Sequence, residues 1–284
     1  MKRIALIIVA ILLLLGAALL ALYPAISNYV NEKYASEIRT DYEKEIKQID
    51  DQSLQSYWDA ANAYNESLSP IQFEREGLQA ADKDYRNILD PSGSGIMGYI
   101  VIPKINVNLP IYHGFDESIL REGIGHLTGS SLPVGGIGTH AVLTGHSGVA
   151  EKKLFSDLDQ LEAGDVFYIK VLNETLAYEV TEKNVVLPED TELLKISKNE
   201  DLCTLVTCTP FGVNTHRLLV RGSRIEYEEA EQIVQQQETI DKPVKSTWRE
   251  QYMLGLEIGG GIAVIAAIIF LCIIIKRKKQ RRRW

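Results

Sequence analysis

Two uncharged apolar runs, one near each end of this 284-residue chain, limit what it can fold into more than any other feature. Residues 4–22, "IALIIVAILLLLGAALLAL", are long enough to cross a hydrocarbon core of about 30 Å at about 1.5 Å per helical residue. Residues 258–275, "IGGGIAVIAAIIFLCIII", form a second such run, and "KRKKQRRR" follows it. Lys2 and Arg3 precede the first run, and Lys276, Arg277, Lys278, Lys279, Arg281, Arg282 and Arg283 follow the second. The bias of basic residues toward the cytoplasm places both termini inside and the intervening chain outside. The expected layout is an anchor over 1–23, a membrane helix over 254–275 and a basic cytoplasmic tail over 276–284, a multi-pass cell-membrane protein. A cleaved signal peptide shares the charged start and apolar core, and "ALYPA" at 21–25 offers small residues for cleavage, but the length of the run favours a retained anchor.

Of the 30 Lys and Arg, nine flank the two runs, and of the 38 Asp and Glu only Glu257 lies beyond residue 253. The outer region therefore carries 21 basic against 37 acidic residues, a formal charge of −16. That balance excludes a basic nucleic-acid face and keeps a tethered domain soluble.

From Ala25 to Leu68, apolar residues recur every three or four positions (Ile26, Val30, Tyr34, Ile38, Tyr42, Ile46, then Leu54, Tyr57, Ala61, Tyr64), predicting one or two amphipathic helices that end near Pro70. A shorter pattern through Leu78, Ala81, Tyr85 and Ile88 stops at "LDPSGSG". Residues 24–96 thus form a helical region, either a spacer or a cover. From residue 97 the pattern changes to short alternating stretches: "GYIVIPKI", "LPIYHG", "HAVLTG", "VFYIKVL", "LAYEVTEKNVVL", "LCTLVTC" and "HRLLVRGSRIEY". "VLNETLAYEV" reads as a hairpin with its turn at Asn173 and Glu174. Seven or eight strands within about 130 residues predict a closed or nearly closed barrel over 97–228, followed by a linker over 229–253.

Three cysteines are present, with Cys272 inside the second apolar run. Cys203 and Cys208 lie in one expected strand, where period-two alternation sends them to opposite faces and disfavours a disulfide. Cys203 and Cys272 read as small apolar residues. Cys208 stands at the end of its strand, before Pro210, and an antiparallel return of the chain brings Arg217 beside it, on a strand about 4.8 Å away. A thiolate nucleophile needs a base or cation nearby, because a free thiol has a pKa of about 8.5. His113, His126, His140, His146 and His216 are all candidates; His146, in the Gly-flanked turn "LTGHSG", ranks modestly above His140 and His126.

The stretches "TLVTCTPFGVNTHRLLVRG", "GHLTGSSLPVGGIGTHAVLTGHSG" and "GIMGYIVIPKINVNLPIYHG" together resemble the class C, pilus-assembling sortases over roughly residues 97–228. The resemblance implies a mostly-β, eight-stranded sortase barrel preceded by N-terminal helices. It implies Cys208 as nucleophile, His146 as general acid and base, and Arg217 as the donor that stabilises the oxyanion. Ser147 stands where such enzymes commonly carry an Arg. Class C enzymes also have a lid with an Asp-Pro-aromatic motif. This chain offers "LSPIQF" at 68–73, with Pro70 and Phe73, and "LDPS" at 89–92, with Asp90, and neither is complete.

The expected function is a membrane-anchored cysteine transpeptidase that cuts an LPXTG-like sorting signal between Thr and Gly, then passes the acyl group to a pilin lysine. It would use no metal or cofactor. Its partners would be pilins or surface proteins bearing the signal, and the lipid bilayer. The rival expectations are anchoring to a cell-wall precursor, a non-catalytic pilus scaffold, and a protease that passes the acyl group to water.

Overall fold

The computed structural model describes residues 2–68, 83–240 and 246–261. Helix α1 covers Lys2–Ile46, and α2 covers Asp51–Ser67. Between them Asp50 caps α2, its side chain accepting from Ser53 N at 2.9 Å, which satisfies an amide that has no partner within the helix. The expected helical region is therefore two helices, followed by the short α3 (Lys83–Asn87). These helices cover more than they space. Tyr42, Ile46, Leu54, Ala61, Tyr85 and Leu89 are buried in one apolar cluster with Met97, Ile100, Phe155 and Ile169 of the β-domain.

Eight strands form a closed barrel: β1 (Ile96–Ile102), β2 (Val107–His113), β3 (Ile124–His126), β4 (Thr139–Thr144), β5 (Val166–Val171), β6 (Glu174–Val186), β7 (Asp201–Thr209) and β8 (His216–Ile225). Around the barrel the order is β1-β2-β3-β4-β7-β8-β6-β5, with β5 returning to β1. The pairs β2–β3 and β4–β7 are parallel and the rest antiparallel. A short helix, α4 (Glu117–Leu120), precedes β3.

The β5–β6 turn sits one residue earlier than expected. Val171 pairs with Glu174, so Leu172 and Asn173 form the turn. Leu172 takes a left-handed φ of 48° although it is not Asn or Gly. Its side chain is 7 % exposed within the main core, and its N–H donates to Tyr42 Oη at 2.8 Å, while that hydroxyl donates to Met97 O at 2.9 Å. Burial and the tie to α1 thus outweigh the local preference for Asn at such a position.

Part of the expected linker over 229–253 is helical. Helix α5 (Tyr227–Ile240) lays the fully buried Ala230, with Ile233 and Val234, against Val166, Tyr168 and Ala177. A further helix, α6, spans 247–261. Among the described residues no helix is long and apolar enough to cross a membrane, so the structure does not support the two spans expected at 1–23 and 254–275. Much of the second lies outside the described residues.

Candidate active site

Strands β4, β7 and β8 are neighbours in the barrel, and their registers align residues into rows. Val142 pairs with Thr204 and Thr144 with Val206; Thr204, Val206 and Cys208 in turn pair with Arg221, Leu219 and Arg217. Alternation puts these residues on one face. Val142, Val206 and Leu219 form an apolar cluster with Leu194 outside the barrel, whereas Ala141, Leu143, Cys203, Leu205 and Val220 point into the main core. Extending β4 by two residues past Thr144 brings His146 into the row of Cys208 and Arg217. Three hydrogen bonds continue the alignment beyond the end of β4. Gly145 N donates to Val206 O at 3.0 Å, Thr207 Oγ1 donates to Gly145 O at 2.7 Å, and Ser147 Oγ donates to Cys208 O at 2.5 Å. Gly145 is required here, because a Cβ would stand 2.6 Å from Ile124 Cδ1 and 2.9 Å from the Phe155 ring.

The five histidines separate by environment. His126 and His140 are fully buried, and burial pushes each down to about 4, leaving both neutral at physiological pH. Their ring nitrogens are occupied. His126 donates from Nε2 to Ser131 O at 2.9 Å and meets Tyr85 Oη at Nδ1, 2.8 Å away. His140 donates from Nδ1 to Lys195 O at 2.9 Å and meets Thr204 Oγ1 at Nε2, 2.7 Å away. His113 is buried between the carbonyls of Gly95 and Ile88. His216 pairs with Thr209, one residue out of step with the row and so on the other face. His146 is 24 % exposed in its side chain, and its Nε2 lies 3.3 Å from Glu117 Oε2.

Glu117 escapes a sequence reading because it lies 29 positions from His146, on α4. Its carboxyl is held below the usual carboxylate range first by the hydrogen bond from Arg121 Nε to Oε1, 2.9 Å, and then by the His146 charge. Arg217 Nη1 donates to its own turn, to His216 O at 3.1 Å and Asn214 O at 3.3 Å. Among the described residues no carboxylate lies within ion-pair distance of Arg217.

Cys203 and Cys208 are both free. Cys203 is fully buried, and burial pushes its thiol well up, whereas Cys208 is half-buried. Asp90 turns into its own loop, where Oδ1 accepts from Gly95 N at 2.9 Å. Pro70 and Phe73 lie outside the described residues. Among the described residues no group of His, Cys, Asp and Glu could hold a metal ion. Three surface cavities, of about 410, 220 and 540 Å³, lie along α1 and the β1–β5 side, and none is lined by Cys208, His146 or Arg217.

A row of thiol, imidazole and guanidinium at the end of a barrel wall is suited to acyl transfer. Comparison with known proteins agrees. The family model "Sortase domain" matches residues 100–225. Sortase C1 from Streptococcus agalactiae superposes with a TM-score of 0.61 at 44 % identity, over 67 % of this chain and 98 % of that one. The chain belongs to the sortase family. The pilus-related sortase C of Group B Streptococcus is similar as well, with a TM-score of 0.59 at 41 % identity over 66 % of this chain and 97 % of that one. Sortase D of Bacillus subtilis is 30 % identical over 138 residues, which is 48 % of this chain and 67 % of that protein. Sortases are cysteine transpeptidases, and the similar solved structures include several class C sortases as well as a sortase A from Corynebacterium diphtheriae.

Proposed function

We propose that this sortase is a membrane-anchored transpeptidase acting on LPXTG-like sorting signals, with Cys208, His146 and Arg217 as its catalytic residues. What supports the reading is the pairing of Cys208 with Arg217 on β7 and β8, beside which the turn that carries His146 is held by the hydrogen bonds of Gly145 and Ser147 to β7. Cys208 gives its proton to His146, its sulfur attacks the Thr carbonyl, and the charge that develops on oxygen meets the Arg217 guanidinium. As the tetrahedral intermediate collapses, the Thr–Gly bond breaks, His146 protonates the departing glycine amine, and a thioester remains on Cys208. A lysine amine from a pilin then attacks the thioester, gives its proton to His146 and releases the sulfur as a new amide forms. No cofactor enters the scheme. The similarity to a pilus-related sortase supports a lysine as the acceptor.

Membrane anchoring rests on the two apolar runs and the basic residues beside them. In this arrangement the barrel lies outside the cell and both termini lie in the cytoplasm.

The test is to incubate the full chain with a sorting-signal protein and lysine-bearing pilins, and to sequence the products by mass spectrometry. Thr-to-Lys crosslinks support the reading. Adducts to a wall precursor would assign it to surface-protein anchoring, free acid to hydrolysis, and the absence of a thioester on Cys208 to a scaffold.

A further inference from the structure

His146 stands two residues beyond the last paired residue of β4, so the ladder alone does not hold it. The segment that follows it, 147–160, is touched by residues from both ends of the chain. From α1, Asn28 Oδ1 accepts from Lys153 N at 2.9 Å, and Asn31 Nδ2 donates to Glu151 O at 3.2 Å. From the C-terminal side, Trp248 donates twice, from its backbone N to Asp157 Oδ1 at 3.0 Å and from Nε1 to Val149 O at 3.1 Å. Beside it, Thr247 Oγ1 lies 3.1 Å from Asp159 Oδ2 and accepts from Gln160 Nε2 at 3.0 Å. The two helices are also joined to each other. Tyr252, stacked on Trp248 with ring centroids 5.7 Å apart, donates its hydroxyl to Ala21 O.

Inside the segment a short chain of contacts leads back to the catalytic row. Asp157 is 1 % exposed and paired with Lys153 at 3.0 Å. Its neighbour Ser156 accepts at Oγ from Gly148 N at 3.1 Å, and Phe155 N donates to His146 O at 3.0 Å. Ser147 reaches across to the Cys208 carbonyl. Every link is a hydrogen bond or a covalent neighbour, so a displacement of Trp248 is felt at His146 within a few bonds. Acyl transfer needs the acid–base group held to a fraction of an ångström, and a misplacement of about 1 Å from a remote change costs about 100-fold.

We infer that Trp248 and Thr247 are positioning residues for His146: α6, locked to α1 through Tyr252, braces the 147–160 loop against Cys208. This rests on the reading of His146 as the acid–base residue. It adds that the segments leading into the two apolar runs are part of the catalytic support, beyond serving as tethers.

The full chain in detergent micelles is assayed for kcat and KM on a sorting-signal peptide with an amine acceptor, beside deuterium exchange of the 146–157 amides. Trp248→Ala is expected to lower kcat by about tenfold with KM within about twofold, and to raise exchange over 146–157 while the barrel strands keep their protection. Trp248→Phe keeps the stacking on Tyr252 but loses the bond to Val149 O, and is expected to lose about threefold to fivefold. Thr247→Val, a smaller change, should lower kcat by about twofold and leave the fold intact if Trp248→Ala unfolds. Unchanged kcat in the folded variants, or a loss confined to KM, overturns the inference. So does unchanged exchange over 146–157. The exchange readout needs no turnover, so a wild-type chain that forms no thioester would sink the transpeptidase reading while still reporting whether the brace exists.

Discussion

The two faces of β7 set the same side chain in opposite surroundings. On the inner face Cys203 lies among Leu143, Leu205 and Val220 with no exposure, and burial drives its thiol well up, so it stays protonated and inert. Five residues on, Cys208 sits on the outer face at the strand end, half-buried and opposite Arg217. Neither residue type nor strand distinguishes them. Parity along the strand does, together with what the neighbouring strands set in the same row. On the proposed reading a nucleophile is made by its neighbours across the strands, and each of them can be removed to ask how much it matters.

The largest effect is expected at the cysteines. Cys208→Ala should abolish the acyl-enzyme and all crosslinked product while leaving the thermal transition near that of the wild type. Cys203→Ala should keep its turnover and lose about 1 kcal/mol of stability, the scale of a small cavity in a packed core. Intact-mass detection of the thioester and a thermal melt of each variant check this pair. An active Cys208→Ala chain would undo the comparison at its root.

Next come the partners in the row. Arg217→Lys should lose about 10²–10³-fold in kcat/KM, because a point ammonium cannot reproduce the planar fork that reaches a developing oxyanion. His146→Ala should lose about 10²–10⁴-fold. Steady-state kinetics decide the matter, and near-normal turnover in either variant would remove that residue from the mechanism.

How much of this was legible follows from what is local. Strand parity, the separation of Cys203 from Cys208, and the return that sets Arg217 beside Cys208 depend on spacing within 20 residues, so the stretch 203–222 carries them. The helices from Ala25 to Leu68 were legible by their period, but not whether they cover or space; that depends on Tyr42 and Ala61 meeting the barrel core. Five histidines could not be ranked firmly, because His126 and His140 are buried by segments distant in the chain, Tyr85 at the one and Lys195 at the other. The turn at Leu172 is set by a tertiary contact that overrides local preference, and the docking of the helix over Tyr227–Ile240 depends on Ala230 meeting β5 and β6, which are distant in the chain. Glu117 and Trp248 carried no local signal, since each meets the His146 loop from a distant part of the chain.

The buried histidines extend the comparison to pH. His126 and His140 are held near 4, below the ordinary 6.5, so between those values the unfolded chain binds protons that the folded chain refuses. Stability is therefore full above about pH 6.5 and falls as pH drops toward 4, by up to about 1.4 kcal/mol per pH unit for each histidine. Urea unfolding at pH 7, 6 and 5 should show this slope, and His140→Gln should flatten it by roughly half.

The smallest effect expected is at Glu117, whose carboxylate faces His146 Nε2 at 3.3 Å and is itself held by Arg121. The pair is open to solvent, with Glu117 63 % exposed in its side chain, so screening keeps its contribution small. What the contact supplies is orientation: with a proton on Nε2 shared toward Glu117, Nδ1 remains the nitrogen that can exchange a proton elsewhere. Glu117→Gln retains an acceptor of the same shape and should cost kcat about twofold, whereas Glu117→Ala should cost about fivefold, both with KM nearly unchanged. Raising the salt concentration should narrow the gap between wild type and Glu117→Gln, because charge is all that separates them, and should leave the Glu117→Ala deficit largely in place. If Gln and Ala behave alike at every salt concentration, the carboxylate does not orient the imidazole, and the row of His146, Cys208 and Arg217 acts without it.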